Sequence, residues 1–216
     1  MRWLVAGGRM EHLQQRVAGV VLAGGLSTRM GHDKAQMRVH GADKPDLLAR
    51  THALLAELLP RCWVSCRSDC SRSGYECLFD DTPDKGPAAG ILAALRAARE
   101  HGFAAVLALS CDMPLMDAPT LRKLLAARAA APAGTLATLY VDAASGRPEA
   151  LAAIYETASL PLFEAWLAMP GGRLNCIVPQ QWQCRLPYSA EESQPFINLN
   201  RPEDVKRVLD ILGASL

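Results

Sequence analysis

The sequence lacks the features that would assign it to a nucleic-acid-binding or membrane class. Its 216 residues carry 23 basic and 22 acidic side chains, a net charge of +1, so nothing indicates long-range attraction to nucleic acid or to a membrane surface. It has no run of about 18 apolar residues, so no transmembrane helix is predicted, and the apolar run after Met1 is too short for a signal peptide. We therefore expect a cytoplasmic protein with neither membrane nor nucleic acid as a partner.

Paired cysteine motifs are also absent. The seven cysteines are scattered, and those between Cys62 and Cys77 include no Cys-x2-Cys pair and no neighbouring histidine. We interpret them as reduced thiols in or beside a strand rather than as metal ligands, which fits a reducing compartment.

Short apolar strands alternate with helical segments along most of the chain. An apolar, valine-rich run through 17–23 ends at a glycine pair, which is typical of a strand buried on both faces. Similar patterns predict strands at 62–66, 104–110, 135–141 and 149–155, with one or two more within 177–186, and helices at 47–59, 88–101, 118–131, 159–167 and 201–212. We expect an α/β fold of three layers, in which helices cover both faces of a mostly parallel sheet. Residues 17–216 would form one domain, preceded by an extension over 1–16.

The segment Leu22–Lys34 is the first candidate for a substrate site. It follows a buried strand, and ligands of open α/β sheets bind at the carboxyl ends of strands. Gly24 and Gly25 allow the backbone to approach a ligand closely, while Arg29 and Lys34 add two cations near two hydroxyl residues. That combination suits a triphosphate, whose charge shifts during displacement. The alternative is a turn with solvated charges; the segment matches neither a Walker loop nor a Gly-x-Gly-x-x-Gly fingerprint.

Asp112 is the second candidate. It ends a predicted buried strand and is followed two residues later by a proline, a position from which a carboxylate can hold Mg²⁺ against phosphate oxygens. The alternative is an aspartate that caps a helix or forms a turn, which is common for this residue.

Asn198 and Asn200 form the third candidate. They alternate with apolar residues, so a strand would point both side chains to the same side. Alternatively, Asn200 or Arg201 simply starts the last helix, with Pro202 in its first turn. The second interpretation leaves Asn198 unexplained, so the two are compatible.

These motifs together resemble the molybdenum cofactor guanylyltransferase family, within the small nucleotidyltransferases. The resemblance extends over roughly residues 17–212, and its motifs stand in the family's order. They are Val20–Gly25, Arg29–Gly31, Asp33–Lys34, Asp81, Gly86–Pro87, Gly90, Cys111–Pro114 and Asn198–Asp204.

The resemblance implies a Rossmann-like fold of the GT-A type and transfer of GMP from GTP to the terminal phosphate of the molybdopterin molybdenum cofactor, with release of pyrophosphate. Mg²⁺, for which Mn²⁺ could substitute, would be bound by Asp112. The catalytic residues would be Arg29, Lys34 and Asp112. The positions that match nucleotide or cofactor contacts are Leu22, Ala23, Gly24, Gly25, Lys34, Ser65, Asp81, Asp112, Asn198 and Asn200.

The chain departs from the family pattern in three places. Two residues are inserted within 41–47, and Ser65 stands where the family has an asparagine that contacts the nucleotide. The pterin side is variable, so Lys85, Arg147 and Arg173 are only candidates for phosphate or pterin contacts. The glycine pair stands where cytidylyltransferase relatives have Ala-Gly, which favours guanine.

Other functions stay open. The nearest is the same reaction with CTP or with a sugar phosphate, and another is a non-catalytic carrier of the molybdenum cofactor. A carrier needs no metal–triphosphate site, which disfavours it, and a sugar-transferring enzyme would normally have an Asp-x-Asp motif. The expected partners are GTP and the molybdenum cofactor, with transient contacts to proteins that synthesise or insert it. Cys111 has no histidine nearby in sequence, and we interpret it as a packing residue.

Overall fold

The computed structural model describes residues 16–23, 33–67, 72–80, 85–169 and 173–214. Several predicted features fall outside these ranges. They are the extension before residue 16, Gly24, Gly25, Arg29 and Asp81.

Within the described residues, seven strands form a single sheet in the order β3-β2-β1-β4-β6-β5-β7. The strands are β1 Val17–Leu22, β2 Cys62–Arg67, β3 Cys77–Asp80, β4 Ala105–Ser110, β5 Ala137–Asp142, β6 Pro148–Glu156 and β7 Gln183–Tyr188. The longer helices are α1 Leu47–Leu58, α2 Pro87–Glu100, α3 Ala118–Ala130, α4 Leu160–Ala168 and α5 Pro202–Leu212. The expected α/β architecture is confirmed, and most boundaries differ from the predicted ones by one or two residues.

The sheet is parallel except for one strand. β1 pairs in parallel with β2 and β4, β2 with β3, and β5 with β7, whereas β6 runs antiparallel to both β4 and β5. The reversal follows from the short turn between β5 and β6, where the Asp142 carboxylate accepts hydrogen bonds from the N–H groups of Ala144 and Ser145 at 2.9 and 2.8 Å. A turn this short can join only antiparallel neighbours. The first residues of β6 therefore lie at the edge of the sheet where β4 ends.

Helices cover both faces of the sheet. β1 and β4 are buried along their whole length, as their uninterrupted apolar sequences predict. α1 and α3 pack on one face, and α2 and α4 pack on the other. A third, smaller core joins α5 to Val39, Leu47 and Leu199.

Two segments add detail to the sequence prediction. β3 has no counterpart among the predicted strands, because four residues are too short for a periodic signal. The region 177–186 contains a 3₁₀ turn, Gln180–Trp182, before the single strand β7. No helix among the described residues is both long enough and apolar enough to cross a membrane.

Gly90 allows α2 to approach β2. A Cβ at this position would come within 2.2 Å of the Ser65 Oγ and 3.1 Å of the Ser65 Cβ. Alanine usually stabilises a helix interior by about 1 kcal/mol relative to glycine. Here we expect Gly90→Ala to lower the free energy of unfolding by about 1–3 kcal/mol, because the buried Ser65 hydroxyl must rotate and the helix must shift away from the Ser65 Cβ. Urea unfolding measures the change.

The same substitution in a Ser65→Gly background provides the control. Without the Ser65 side chain, the added methyl group meets no side chain from β2 and should be neutral or stabilising. An equal effect of Gly90→Ala in both backgrounds would contradict this contact.

Candidate active site

The carboxyl ends of β1, β2 and β4 meet at one edge of the sheet. The Ala23 N–H donates to the Ser65 carbonyl at 3.0 Å, and the Cys111 N–H donates to the Leu22 carbonyl at 3.3 Å. These bonds extend the strand pairing by one residue. They bring Leu22, Ala23 and Ser65 beside the turn that carries Asp112, as the sequence predicts for a ligand site at this edge.

Lys34 lies at the end of the Leu22–Lys34 segment and starts a short 3₁₀ turn, Lys34–Gln36. Asp33 caps this turn by accepting a hydrogen bond from the Ala35 N–H at 3.1 Å. Arg72, whose side chain is only 11% exposed, forms an ion pair with the same aspartate. The buried guanidinium thus fixes the residue before Lys34. Arg72 belongs to no sequence motif. Its partner Asp33 is 39 residues away along the chain (72 minus 33), so the sequence could not indicate this ion pair.

Asp112 is a partly buried acid at this edge of the sheet. Burial raises the pKa of the Asp112 carboxyl, while a hydrogen bond from Ser110 and the nearby Lys34 ammonium act in the opposite direction. Its Oδ1 is buried and has no hydrogen-bond partner among the described residues. A buried carboxylate oxygen without a donor is costly, and a bound cation would offset that cost.

Asn198 lies next to Asp112. The Leu199 N–H donates to the Asp112 carbonyl at 2.9 Å, and the Asn198 amide donates to the Phe196 carbonyl at 3.1 Å. That hydrogen bond occupies the amide nitrogen, and the Asn198 Oδ1 is left buried without a partner within the part of the chain that the structure describes. A second buried oxygen that lacks a donor therefore lies on the segment that contacts Asp112 through its backbone.

These two oxygens fit a hard divalent cation. Mg²⁺ prefers oxygen ligands and is usually held by one or two protein groups together with substrate phosphates. In the described ranges no group of three or more His, Cys, Asp or Glu side chains is placed to hold a metal on its own. Asp112 and Asn198 therefore suit a metal that arrives with a nucleotide.

The chain is similar to known proteins over most of its length. A family model described as the MobA-like NTP transferase domain matches residues 19–181. The chain belongs to this family. It is 32% identical over 201 residues to a molybdenum cofactor guanylyltransferase of Rhodobacter capsulatus, covering 91% of this chain and 97% of the relative. A second molybdenum cofactor guanylyltransferase, from Rhizobium meliloti, is 30% identical over 200 residues, with 87% and 88% coverage.

Solved structures show the same fold. The crystal structure of molybdopterin-guanine dinucleotide biosynthesis protein A from Archaeoglobus fulgidus superposes with a TM-score of 0.71 at 22% identity, covering 91% of this chain and 98% of that one. As a member of the MobA-like family, the protein is a nucleotidyltransferase associated with molybdenum cofactor biosynthesis.

The loop after Asp112 in this nucleotidyltransferase is held by two side chains that the sequence did not indicate. The His40 Nε2 lies 3.0 Å from the Pro114 carbonyl, and the Arg50 guanidinium donates to the Met116 carbonyl at 2.8 Å. Both contacts are to backbone oxygens far away in sequence, so no motif could mark them. They fix the path of the chain that follows Asp112.

Other predicted residues have different surroundings. Asn200 is exposed, and its backbone N–H donates to the Asp204 carboxylate at 2.9 Å, so it belongs to the start of α5 rather than to a strand beside Asn198. Burial raises the pKa of Cys111 to about 12, so its thiol stays protonated, which agrees with a packing role. The Lys85 ammonium donates to the Met169 carbonyl at 2.9 Å.

Asp112→Asn removes the negative charge of the side chain and keeps its size and shape. We expect nucleotide transfer to fall by roughly 10³-fold, because charge neutralisation by a metal supplies several kcal/mol. Stability should not fall. The raised pKa means that the folded state disfavours the carboxylate once the pH rises through its folded-state pKa, and asparagine avoids this cost at neutral pH.

The matched control is Asp117→Asn, five residues further along the chain. The Asp117 carboxylate caps α3 by accepting from the Thr120 N–H at 2.8 Å. Because asparagine also caps helices well, this variant should keep both its stability and its transfer rate. Transfer of labelled nucleotide and thermal unfolding are measured in parallel. Near-normal transfer by folded Asp112→Asn protein would reject Asp112 as the metal ligand.

Proposed function

We propose that the protein transfers GMP from GTP to the terminal phosphate of the molybdopterin molybdenum cofactor and releases pyrophosphate. The observation that carries the proposal is that Asp112 and Asn198 each have a buried, unpartnered oxygen among the described residues, with the Lys34 ammonium near Asp112. The relatives described as molybdenum cofactor guanylyltransferases support the choice of nucleotide and acceptor.

The reaction needs no covalent intermediate on the protein. An oxygen of the acceptor phosphate attacks the α-phosphorus of GTP, a new P–O bond forms, and the bond to the bridging oxygen of pyrophosphate breaks. Asp112 and Asn198 would hold Mg²⁺, which neutralises charge on the triphosphate when it is bound. Lys34 and the backbone at Leu22 and Ala23 would orient the phosphates, so catalysis is positioning combined with charge stabilisation.

The choice of guanine rests on residues outside the described ranges. Gly24 and Gly25 would let the backbone approach a base edge that a methyl group would keep at a distance. Guanine presents an acceptor O6 beside two donors, and cytosine presents a smaller, different edge. Each unmatched buried hydrogen bond costs about 1–3 kcal/mol, so a missing pair corresponds to a tenfold or greater preference.

Pyrophosphate release with GTP or CTP tests this function directly. The purified protein is incubated with Mg²⁺, one nucleotide and the molybdenum cofactor, and we expect release from GTP to be at least about tenfold faster. Equal rates with GTP and CTP would contradict the choice of GTP as substrate, but they would still be consistent with nucleotidyl transfer. Release that does not depend on the molybdenum cofactor would overturn the choice of acceptor and favour another phosphate.

Lys34→Ala tests the triphosphate site. We expect weaker GTP binding and transfer slowed by something on the order of 10²-fold, because the lost cation stabilises charge that develops in the transition state. GTP affinity is measured by calorimetry and transfer by pyrophosphate release.

Lys44→Ala is the control for loss of a positive charge. Lys44 is an exposed lysine that pairs with Asp43 on the surface, so its removal should leave both values unchanged. If Lys34→Ala behaved like this control, the segment Leu22–Lys34 would not be the triphosphate site.

A further inference from the structure

Glu149 is a buried carboxylate outside all the nucleotide motifs. It is only 6% exposed, and it is the second residue of β6. Because β6 runs antiparallel to β4, its first residues lie at the edge of the sheet where β4 ends and Asp112 follows. A glutamate at this depth is unusual unless it is well paired.

The partners of Glu149 do not account for its charge. The Tyr188 hydroxyl donates to Oε1 at 2.7 Å, and the Arg147 guanidinium lies 3.4 Å from the same oxygen. The Arg147 side chain is 66% exposed, so its charge is largely screened. Among the described residues, Oε2 receives no hydrogen bond from the protein. A glutamine would keep the tyrosine hydrogen bond at a lower cost of burial, so packing alone does not explain a glutamate here.

A continuous set of contacts joins Glu149 to the candidate active site. The Tyr188 ring stacks on Phe196, with centroids 4.3 Å apart. The Phe196 carbonyl accepts the hydrogen bond from the Asn198 amide. Leu199, which follows Asn198, donates its N–H to the Asp112 carbonyl. Glu149 thus belongs to the same edge of the sheet as the metal acid.

This edge divides into two halves. The predicted nucleotide residues between Leu22 and Asp112 lie on or directly after β1, β2, β3 and β4, apart from Lys34, and these strands occupy one side of the sheet order. β6, β5 and β7 form the other side, and Glu149 and Tyr188 lie on them. In-line displacement requires the attacking and leaving oxygens on opposite sides of the α-phosphorus, so the half with Glu149 is left for the acceptor.

We propose that Glu149 binds the 2-amino-4-oxo edge of the acceptor's pterin ring, an inference that rests on the proposed function. That edge presents two parallel N–H donors, from N3 and from the 2-amino group. A carboxylate has two oxygens with about four acceptor positions, so it can accept both donors while Oε1 keeps the Tyr188 hydrogen bond. Tyr188 is a positioning residue that orients the carboxylate.

Paired ring ligands test the assignment. 6-Hydroxymethylpterin carries the 2-amino group, whereas 6-hydroxymethyllumazine has an oxygen at that position and would place an acceptor against the carboxylate. Titration of the full-length protein, followed by ligand fluorescence, should show about a tenfold preference for the pterin. Glu149→Gln should remove that preference without changing GTP affinity, and Tyr188→Phe should reduce it partly.

Stability separates a binding role from a structural one. If Glu149 serves the ligand, Glu149→Gln should unfold at the same or a higher temperature than the wild type. The control is Glu156→Gln at the other end of β6, where both carboxylate oxygens bind Arg128 at 2.6 and 2.8 Å. This control should lower the unfolding temperature and leave the ring preference unchanged.

The outcomes distinguish this inference from the proposed function. Equal binding of the two rings by the wild type, binding of neither, or a preference that survives in Glu149→Gln would each overturn the role of Glu149. A drop in stability with an unchanged preference would assign it to structure alone. If the wild type still releases pyrophosphate from GTP when the molybdenum cofactor is present, the proposed function stands in all these cases. Without that release, the proposed function fails on its own.

Discussion

The hydrogen bond from the Leu199 N–H to the Asp112 carbonyl is the contact on which the rest of the site depends. It joins the end of β4 to a segment 87 residues later (199 minus 112) at a distance of 2.9 Å. Leu199 is fully buried in the small core that α5 completes, so the packing of α5 sets the position of the segment that carries Asn198 relative to Asp112. The close packing around Leu199 therefore holds its hydrogen bond to Asp112 in a fixed position.

The sequence predicts the parts of this arrangement that depend on local pattern. β1 and β4 are continuous apolar runs, which suit only strands buried on both faces, and polar motifs directly after such strands must lie at one edge of a parallel sheet. Asp112 and Lys34 were identified for this reason. The start of α5 could also be predicted, because proline and acidic residues occupy its first turn.

Features that depend on long-range contacts could not be predicted in the same way. In a sequence, Arg72 and Arg50 look like surface cations, and only the fold shows that one binds Asp33 and the other a backbone carbonyl. In the sequence, Glu149 is only a polar residue at the start of a predicted strand. Its position at the edge near Asp112 depends on the reversed direction of β6, which is set by a turn rather than by the strand itself. A strand would point Asn198 and Asn200 to the same side, but the start of α5 separates their surroundings, in agreement with the alternative that Asn200 belongs to the helix start.

The long separation along the chain between Leu199 and β4 has a consequence for synthesis on the ribosome. The sheet strands β1 to β4 emerge well before the segment that carries Asn198, and domains generally begin to fold as they emerge. A nascent chain can therefore form most of its sheet while the oxygen pair of Asp112 and Asn198 is still incomplete. Competence to hold a metal with a nucleotide would arise only after the segment that carries Asn198 has emerged, so a nascent chain that stops before this segment would not sequester the substrate.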